Sequence, residues 1–214
     1  MQELKSILES REATYRVLGR LFQEEVTPAL LPNLKVLHFP EDTEDAAYNR
    51  ASACFNAFVA KLTPQALDEL AADYARTFLS AGVAEGPSAF PFESVYTSRE
   101  HLIMQNAYEE VLVLLRKYGM APSKPDLYAD QIGIELEFMG FLSHKALEAI
   151  DSRDQPAVEA ALEEAERFLM HHLLNWTEKF FEDLKKVART DFYPALADLT
   201  HHWLEEDRRW FAGE

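Results

Sequence analysis

One segment of this sequence carries apolar side chains that would point to every side of a helix. The segment holds Ile132, Ile134, Leu136, Phe138, Met139, Phe141 and Leu142. A helix that is apolar all round is usually buried beneath other elements. The chain must therefore fold around residues 132–142, and the rest of the sequence has to cover them.

The rest of the sequence predicts helices. Apolar residues recur at helical spacing in most segments, and no stretch alternates apolar and polar residues long enough to predict a strand. Hydrophobic residues make up 48% of the 214, which is enough for a sizeable core. We predict an all-α fold in a single compact helical bundle. Pro122 and Pro125 leave open a division into an N-terminal half, 1–119, and a C-terminal half, 130–214, joined by a hinge at 120–129.

Local signals predict three helix boundaries. Ser98 can cap the start of a helix, with Glu100 in its first turn. Gly119 suits the left-handed position that ends such a helix. Asn175 and Trp176 mark a kink or break in the periodic segment 156–189.

The charge of the chain restricts its partners. The formal net charge is -16, which disfavours nucleic acid and anionic lipid and would attract a basic peptide or protein segment. An acidic surface that only keeps the protein in solution is the alternative. The N-terminus has no apolar signal core, and no apolar stretch is long enough to span a bilayer. We therefore expect a cytoplasmic location and no stable membrane insertion.

The cysteine count agrees with that location. Cys54 is the only cysteine, so an internal disulfide cannot form, and a lone thiol suits a reducing compartment. Because Cys54 lies in an apolar helical pattern, we expect it to be a buried structural thiol.

Carboxylates accompany the apolar central segment. Glu135 shares a helix face with Phe138 and Met139, and a buried carboxylate must be paired, protonated or lining a groove. One interpretation is an acidic groove that accepts a guanidinium, since arginine pairs carboxylates with two hydrogen bonds. The alternatives are an ion pair with an internal arginine, or a contact back to the helix start. Asp126 and Asp130 precede the helix, and either could be its N-cap.

A second unusual segment is the loop 90–96. It is aromatic, contains proline and lies outside the helical periodicity. Aromatic loops beside acidic residues suit peptide recognition. The alternative is that Phe92 and Tyr96 only fill the core beneath a turn.

The sequence lacks the usual patterns of catalytic and metal sites. No glutamate stands three residues before a histidine, so the Glu-x-x-His pairs of di-iron bundles are missing. The sequence has no His-Glu-x-x-His pair, phosphate-binding glycine loop or Gly-x-Ser-x-Gly elbow. We expect no catalytic residues, no metal and no cofactor, and we expect His171 and His172 to be partly exposed. A helical-bundle metal protein or an enzyme of unrecognised type is the alternative function.

Over nearly its whole length the chain resembles the TorD/DmsD family of redox-enzyme maturation chaperones, which are related to the NarJ group. The matching segments are 15–22, 74–78, 91–96, 130–139, 168–176 and 192–197. The most specific is 130–139, where the family has Asp-His followed by an apolar run with Glu-Leu-x-Phe-Met. This chain has Gln131 in place of the usual histidine. It also has Leu127-Tyr128-Ala129 between Pro125-Asp126 and Asp130, so either aspartate could take the role of the family's aspartate.

The resemblance implies an all-α chaperone that binds the twin-arginine signal peptide, the apo form, or both, of a molybdenum-cofactor oxidoreductase before export. Its partner would be a molybdopterin-containing oxidoreductase precursor, and the chaperone a monomer or a domain-exchanged dimer. The expected binding residues are Asp130 and Glu135 for the arginines, with Asp126 as the alternative aspartate, Gln131 for a hydrogen bond, Phe92, Tyr96, Tyr74 and Phe78 for the apolar part, and Arg99 for the loop or a partner carboxylate. A chaperone that binds only the mature enzyme is a further alternative.

Overall fold

The apolar segment is a buried helix in the computed structural model, which describes residues 2–79, 89–121 and 128–213. The described residues form ten α-helices. They are α1 (Gln2–Gln23), α2 (Leu31–Val36), α3 (Ala46–Lys61), α4 (Leu67–Leu79), α5 (Glu93–Thr97), α6 (Asn106–Lys117), α7 (Ile132–Ser152), α8 (Gln155–Phe168), α9 (Thr177–Val187) and α10 (Phe192–Ala212). Those residues contain no strand, and the one β-type backbone bridge among them joins Phe92 and Gln131. The predicted all-α fold is confirmed.

The helices divide into two compact units, and each unit is built from two separate chain segments. The first unit comprises Met1–Gln23 and Phe92–Trp176, with α1 and α5 to α8. The second comprises Glu24–Pro91 and Thr177–Glu214, with α2 to α4, α9 and α10. The predicted hinge at 120–129 falls inside the first unit, and residues 122–127 lie outside the described residues. Exchange of halves about that segment stays a prediction.

In the first unit, α7 is packed between α1 and α8. Helices α1 and α7 approach closely where Gly19 faces Gly133. A Cβ atom built on Gly133 would lie 2.6 Å from the carbonyl oxygen of Gly19 and 2.5 Å from Cγ of Gln23. The close contact therefore depends on hydrogen in place of a side chain at this crossing.

The second unit has its own aromatic core, where α10 packs on α3 and α9. Tyr193 is fully buried, and its ring lies 5.2 Å from that of Phe78. Asp73 on α4 binds the connection between α9 and α10, because its carboxylate accepts from the backbone N–H groups of Arg189 at 2.9 Å and Thr190 at 2.8 Å. The Thr190 hydroxyl donates a third hydrogen bond, at 2.6 Å.

Two boundary predictions are confirmed and one is wrong. Gly119 follows α6 with a φ of 69°, and a π-helical turn, Leu169–Leu173, interrupts the helix just before Asn175. The helix predicted to start at Ser98 instead starts at Asn106. The reason is that His101 and Met104 have left-handed φ angles of 52° and 58°, which a right-handed helix cannot contain.

The structure also corrects the expectation for the thiol. Cys54 is exposed on α3, because the face of that helix that packs inward carries Phe55 and Val59 instead. In the described part of the chain, no helix has the length and apolar character needed to cross a membrane.

Candidate functional site

The two unusual sequence segments meet in the first unit. The loop residues Phe92 to Ser94 run beside Asp130 and Gln131 at the entry to α7. The backbone N–H of Glu93 donates to the carbonyl oxygen of Asp130 at 2.9 Å, and the backbone N–H of Ser94 donates to Oδ2 of Asp130 at 2.9 Å. Asp130 therefore holds the first turn of α5, since its carboxylate satisfies an N–H that the helix itself leaves unpaired.

Gln131, rather than an aspartate, is the N-cap of α7. Its Oε1 accepts from the backbone N–H groups of Gly133 at 2.6 Å and Ile134 at 3.2 Å. Its Nε2 donates to the carbonyl oxygen of Phe22 on α1 at 3.0 Å. The interpretation of Asp130 as the N-cap is wrong, because its side chain turns towards α5. Both the oxygen and the nitrogen of the Gln131 amide form hydrogen bonds within the first unit. Its contact with a partner stays a prediction.

Three carboxyl groups, those of Glu93, Asp130 and Glu135, form what we call the carboxyl cluster. Asp130 and Glu135 are 0% exposed, and Glu93 is 2% exposed. The Glu93 carboxylate accepts from Nδ1 of His172 at 2.9 Å and from Nδ2 of Asn175 at 2.8 Å.

The cluster has few basic neighbours among the described residues. In the described ranges, no lysine or arginine forms an ion pair with any of the three carboxyls, and His172 is their one ionisable basic contact. Glu135 is therefore not paired with an internal arginine, and its Oε2 accepts from Nε1 of Trp176 at 3.2 Å.

Burial and mutual repulsion raise the pKa of two acids of the cluster, Asp130 and Glu135. Burial, followed by the charges of Glu93 and Asp130, raises the pKa of Glu135 well above its ordinary value. Burial also raises the pKa of Asp130, although its hydrogen bonds to Ser94 oppose the change.

The cluster reaches the surface through Glu93. This residue, His172 and Asn175 line one side of a pocket of about 670 Å³. Lys117 and Arg167 also line the pocket, but both pair with Glu164, with Arg167 Nη2 lying 3.3 Å from Oε1 of that residue. The two cations are thus paired with Glu164 rather than with Glu93, which is the one member of the carboxyl cluster in the pocket lining.

The predicted site residues fall in both units. In the first unit, half-buried Phe92 packs on Tyr128 at 5.6 Å between ring centroids, and half-buried Tyr96 packs on Trp176 at 5.5 Å. Arg99 is exposed. Their roles in binding stay predictions.

Two predicted aromatic residues belong to the second unit, and one acid cannot be placed. Tyr74 and Phe78 are buried in the core of the second unit, where both pack on Tyr193. Asp126 lies outside the described residues. The roles of all three in binding likewise stay predictions.

Sequence reasoning missed four residues of the site: Glu93, His172, Asn175 and Trp176. Each stands in a segment that resembles the family, but residues of 91–96 and 168–176 meet only in the folded chain. His172 is buried, contrary to the expectation of partial exposure, whereas His171 is exposed. The π-helical turn alters the helical spacing there, so a 3.6-residue period does not tell which histidine faces inward.

Comparison with known proteins places this chain in a family. The family model described as nitrate reductase delta subunit matches residues 41–182, which is more than half of the chain. The chain belongs to this family. The chaperone protein TorD of Photobacterium profundum is 31% identical over 147 residues, which cover 68% of this chain and 65% of that protein.

Two further members extend the comparison. The chaperone protein TorD of Aliivibrio fischeri is 29% identical over 223 aligned positions that span both chains completely. The probable Tat proofreading chaperone DmsD of Haemophilus influenzae is 28% identical over 130 residues, 60% of this chain and 56% of that one. Membership of this family confirms the prediction of a TorD/DmsD-type maturation chaperone rather than an enzyme.

Proposed function

We propose that this chain is a cytoplasmic chaperone that binds the twin-arginine leader of a molybdopterin-containing oxidoreductase and assists cofactor insertion before export. The observation that carries the proposal is the carboxyl cluster, which lacks a lysine or arginine partner among the described residues and opens into a pocket at Glu93. Buried acids in this state favour a cationic ligand. The name of the DmsD relative, a probable Tat proofreading chaperone, supports a ligand of this kind.

In this proposal, Glu93 makes the direct contact with a leader arginine. It is the member of the cluster that lines the pocket, and a carboxylate can take two parallel hydrogen bonds from a guanidinium. Asp130 and Glu135 are fully buried, so they do not touch the ligand as long as α5 stays in position. Asp130 also fixes Glu93 in position through α5, and the charge of both acids favours a cation in the pocket.

Calorimetry with synthetic peptides tests the proposal. A peptide with two adjacent arginines before an apolar stretch should bind, and its twin-lysine version should bind at least tenfold more weakly, because lysine lacks the planar fork of arginine. Glu93→Gln should lower the affinity for the arginine peptide by about tenfold or more, since a hydrogen bond to a charged group contributes about 1.5–3 kcal/mol.

The matched control for this substitution is Glu109→Gln. Glu109 is an exposed acid in the first turn of α6 and does not line the pocket, so affinity should change less than twofold. Equal affinity of the wild-type chain and the Glu93→Gln chain, both folded by circular dichroism, would exclude Glu93 as the arginine site. Failure of the wild-type chain to bind either peptide would contradict leader binding altogether.

A pull-down from cell extract tests whether the leader is the only part of the partner enzyme that binds the chain. A molybdoenzyme precursor should be captured by the chain, and removal of its leader should abolish capture if the leader is the only contact. Retained capture would assign binding to the apo enzyme as well. Sedimentation of the free chain would distinguish a monomer from a domain-exchanged dimer.

A further inference from the structure

Two adjacent histidines, His171 and His172, line the same pocket as Glu93. Neighbouring residues of a regular α-helix do not face each other, but this pair lies in the π-helical turn Leu169–Leu173. Single π-helical turns occur frequently at functional sites. Histidine is the side chain that ordinarily changes charge between pH 5 and 8, so this wall of the pocket can gain positive charge near neutral pH.

The net charge of the pocket lining changes sign when both histidines are protonated. The other charged residues of the described chain that line the pocket are three acids and two bases: Glu93 of α5, Glu110 and Lys117 of α6, and Glu164 and Arg167 of α8. With neutral histidines the lining therefore carries a formal charge of −1, and with two charged histidines it carries +1. A cation is attracted to the pocket in the first state and repelled in the second.

His172 contacts the acid to which we assign the ligand's arginine. Its Nδ1 lies 2.9 Å from Oε2 of Glu93, and its ring packs on Phe168 at 4.8 Å between centroids. A neutral imidazole donates one hydrogen bond and leaves the carboxylate its charge. A protonated imidazole places a full positive charge beside the carboxylate, so an incoming guanidinium would meet a neutralised acceptor and a repelling cation.

We propose that protonation of His171 and His172 switches the pocket from binding a cationic ligand to releasing it, an inference that rests on the proposed function. In the neutral form the two histidines leave the Glu93 carboxylate available to an arginine side chain. In the charged form they oppose it. Because linkage is reciprocal, an arginine bound at Glu93 expels protons from the two histidines. The acids Asp130 and Glu135, whose pKa is raised, also take up protons on acidification and act in the same direction.

Peptide binding measured at two pH values tests this inference. The probe is the peptide with two adjacent arginines before an apolar stretch, and calorimetry gives its affinity at pH 7.5 and at pH 5.5. The wild-type chain should bind it about tenfold or more weakly at the lower pH, which lies within the usual range for two coupled sites. His171→Gln/His172→Gln keeps amides that can donate to Glu93 but cannot become charged. Its affinity should fall by a smaller factor, which the carboxyl cluster alone sets.

The matched control is His201→Gln/His202→Gln, which removes an adjacent histidine pair of α10 that does not line the pocket. This variant should keep the full wild-type fall in affinity. At pH 6, calorimetry in two buffers of different ionisation enthalpy should count more protons released on binding by the wild-type chain than by His171→Gln/His172→Gln.

Two results would overturn the inference while leader binding stands. One is a fall in affinity by the same factor in the wild type and in His171→Gln/His172→Gln, both folded by circular dichroism, which would assign the pH dependence to the carboxyl cluster. The other is a wild-type affinity that is equal at the two pH values. If the double variant does not fold or bind, His171→Gln, at an exposed position, should still reduce the fall, and an unreduced fall would count against the inference. If the wild-type chain does not bind the peptide at pH 7.5, the proposed function itself fails.

Discussion

The carboxylate of Asp130 accepts the backbone N–H of Ser94 at 2.9 Å, across 36 residues of sequence. This hydrogen bond joins the entry of the central helix to the short helix that carries Glu93. The Ser94 hydroxyl in turn accepts the backbone N–H of Gln105, the N-cap residue of α6, at 3.1 Å. One buried acid therefore holds the short helix that carries Glu93, and that helix in turn contacts the start of α6.

The Ser94 hydrogen bond makes a stability prediction for Asp130. Asp130→Ala should lower the free energy of unfolding by about 1–3 kcal/mol, because it leaves the buried N–H of Ser94 without an acceptor. Asp130→Asn should cost less, since its amide oxygen can still accept and no buried charge remains. Urea unfolding followed by circular dichroism measures both. An equal loss for the two variants would show that charge, rather than the acceptor, matters at this position.

The raised pKa of Glu135 predicts how stability depends on pH. The folded state binds the proton of Glu135 more tightly than the unfolded chain does, so stability should fall as pH rises from the ordinary pKa of 4.5 towards the raised value. Glu135→Gln removes this dependence and can still accept from Trp176. Its stability relative to the wild type should grow with pH, by about 1.4 kcal/mol for each unit by which the folded pKa is raised. Unfolding of both proteins measured at pH 5, 6, 7 and 8 would reveal the trend. A stability advantage of Glu135→Gln that shrinks as pH rises would contradict it.

Ligand binding should release a proton. A guanidinium at the carboxyl cluster favours the charged forms of Asp130 and Glu135, both of which have a raised pKa in the free protein. Affinity for an arginine peptide should therefore increase as the pH rises above the ordinary pKa of these carboxyls. Calorimetry in two buffers of different ionisation enthalpy counts the protons directly. Glu135→Gln should reduce the count, and binding with no proton release in the wild type would exclude a protonated cluster.

Two glycines of the same helix should respond oppositely to alanine. Gly133→Ala should destabilise the protein by about 1–3 kcal/mol, because the new methyl group would meet the backbone of Gly19. Gly140→Ala should be neutral or stabilising by up to about 1 kcal/mol, since alanine favours helix and its nearest contact, at 3.2 Å, is the flexible side chain of Arg16. Thermal unfolding of both variants tests the close approach of α1 and α7. Equal behaviour of the two would argue against it.

The second unit offers an independent test of a buried acid. Asp73→Ala should cost about 2–4 kcal/mol, because it leaves the backbone N–H groups of Arg189 and Thr190 without their acceptor. Asp68→Ala, an exposed acid in the first turn of the same helix, should change stability by about 0.5 kcal/mol or less. Chemical denaturation compares the two, and a similar small effect for both would show that the α9–α10 connection does not need this anchor.

Several features were predictable because they depend on residues close together in sequence. The all-round apolar character of 132–142 predicted a buried helix, and α7 is one. Gly119 predicted the end of α6 from its backbone freedom alone. Local signals failed at Ser98, where the capping pattern was present. Hydrogen bonds from His101 and Gln105 to the preceding helix hold that segment out of the helix.

The sequence by itself determined the helical fold class and the buried central helix, and it predicted two of the three segments that meet at the candidate site. It also showed that Glu135 must be paired, protonated or facing a groove. Only the tertiary structure decided among these alternatives, because the groups that surround Glu135 come from distant parts of the chain. His172 and Asn175 reach Glu93 across 79 and 82 residues, and Trp176 reaches Glu135 across 41. Helix packing sets such contacts, and packing depends on how whole faces fit rather than on the spacing of residues within one segment.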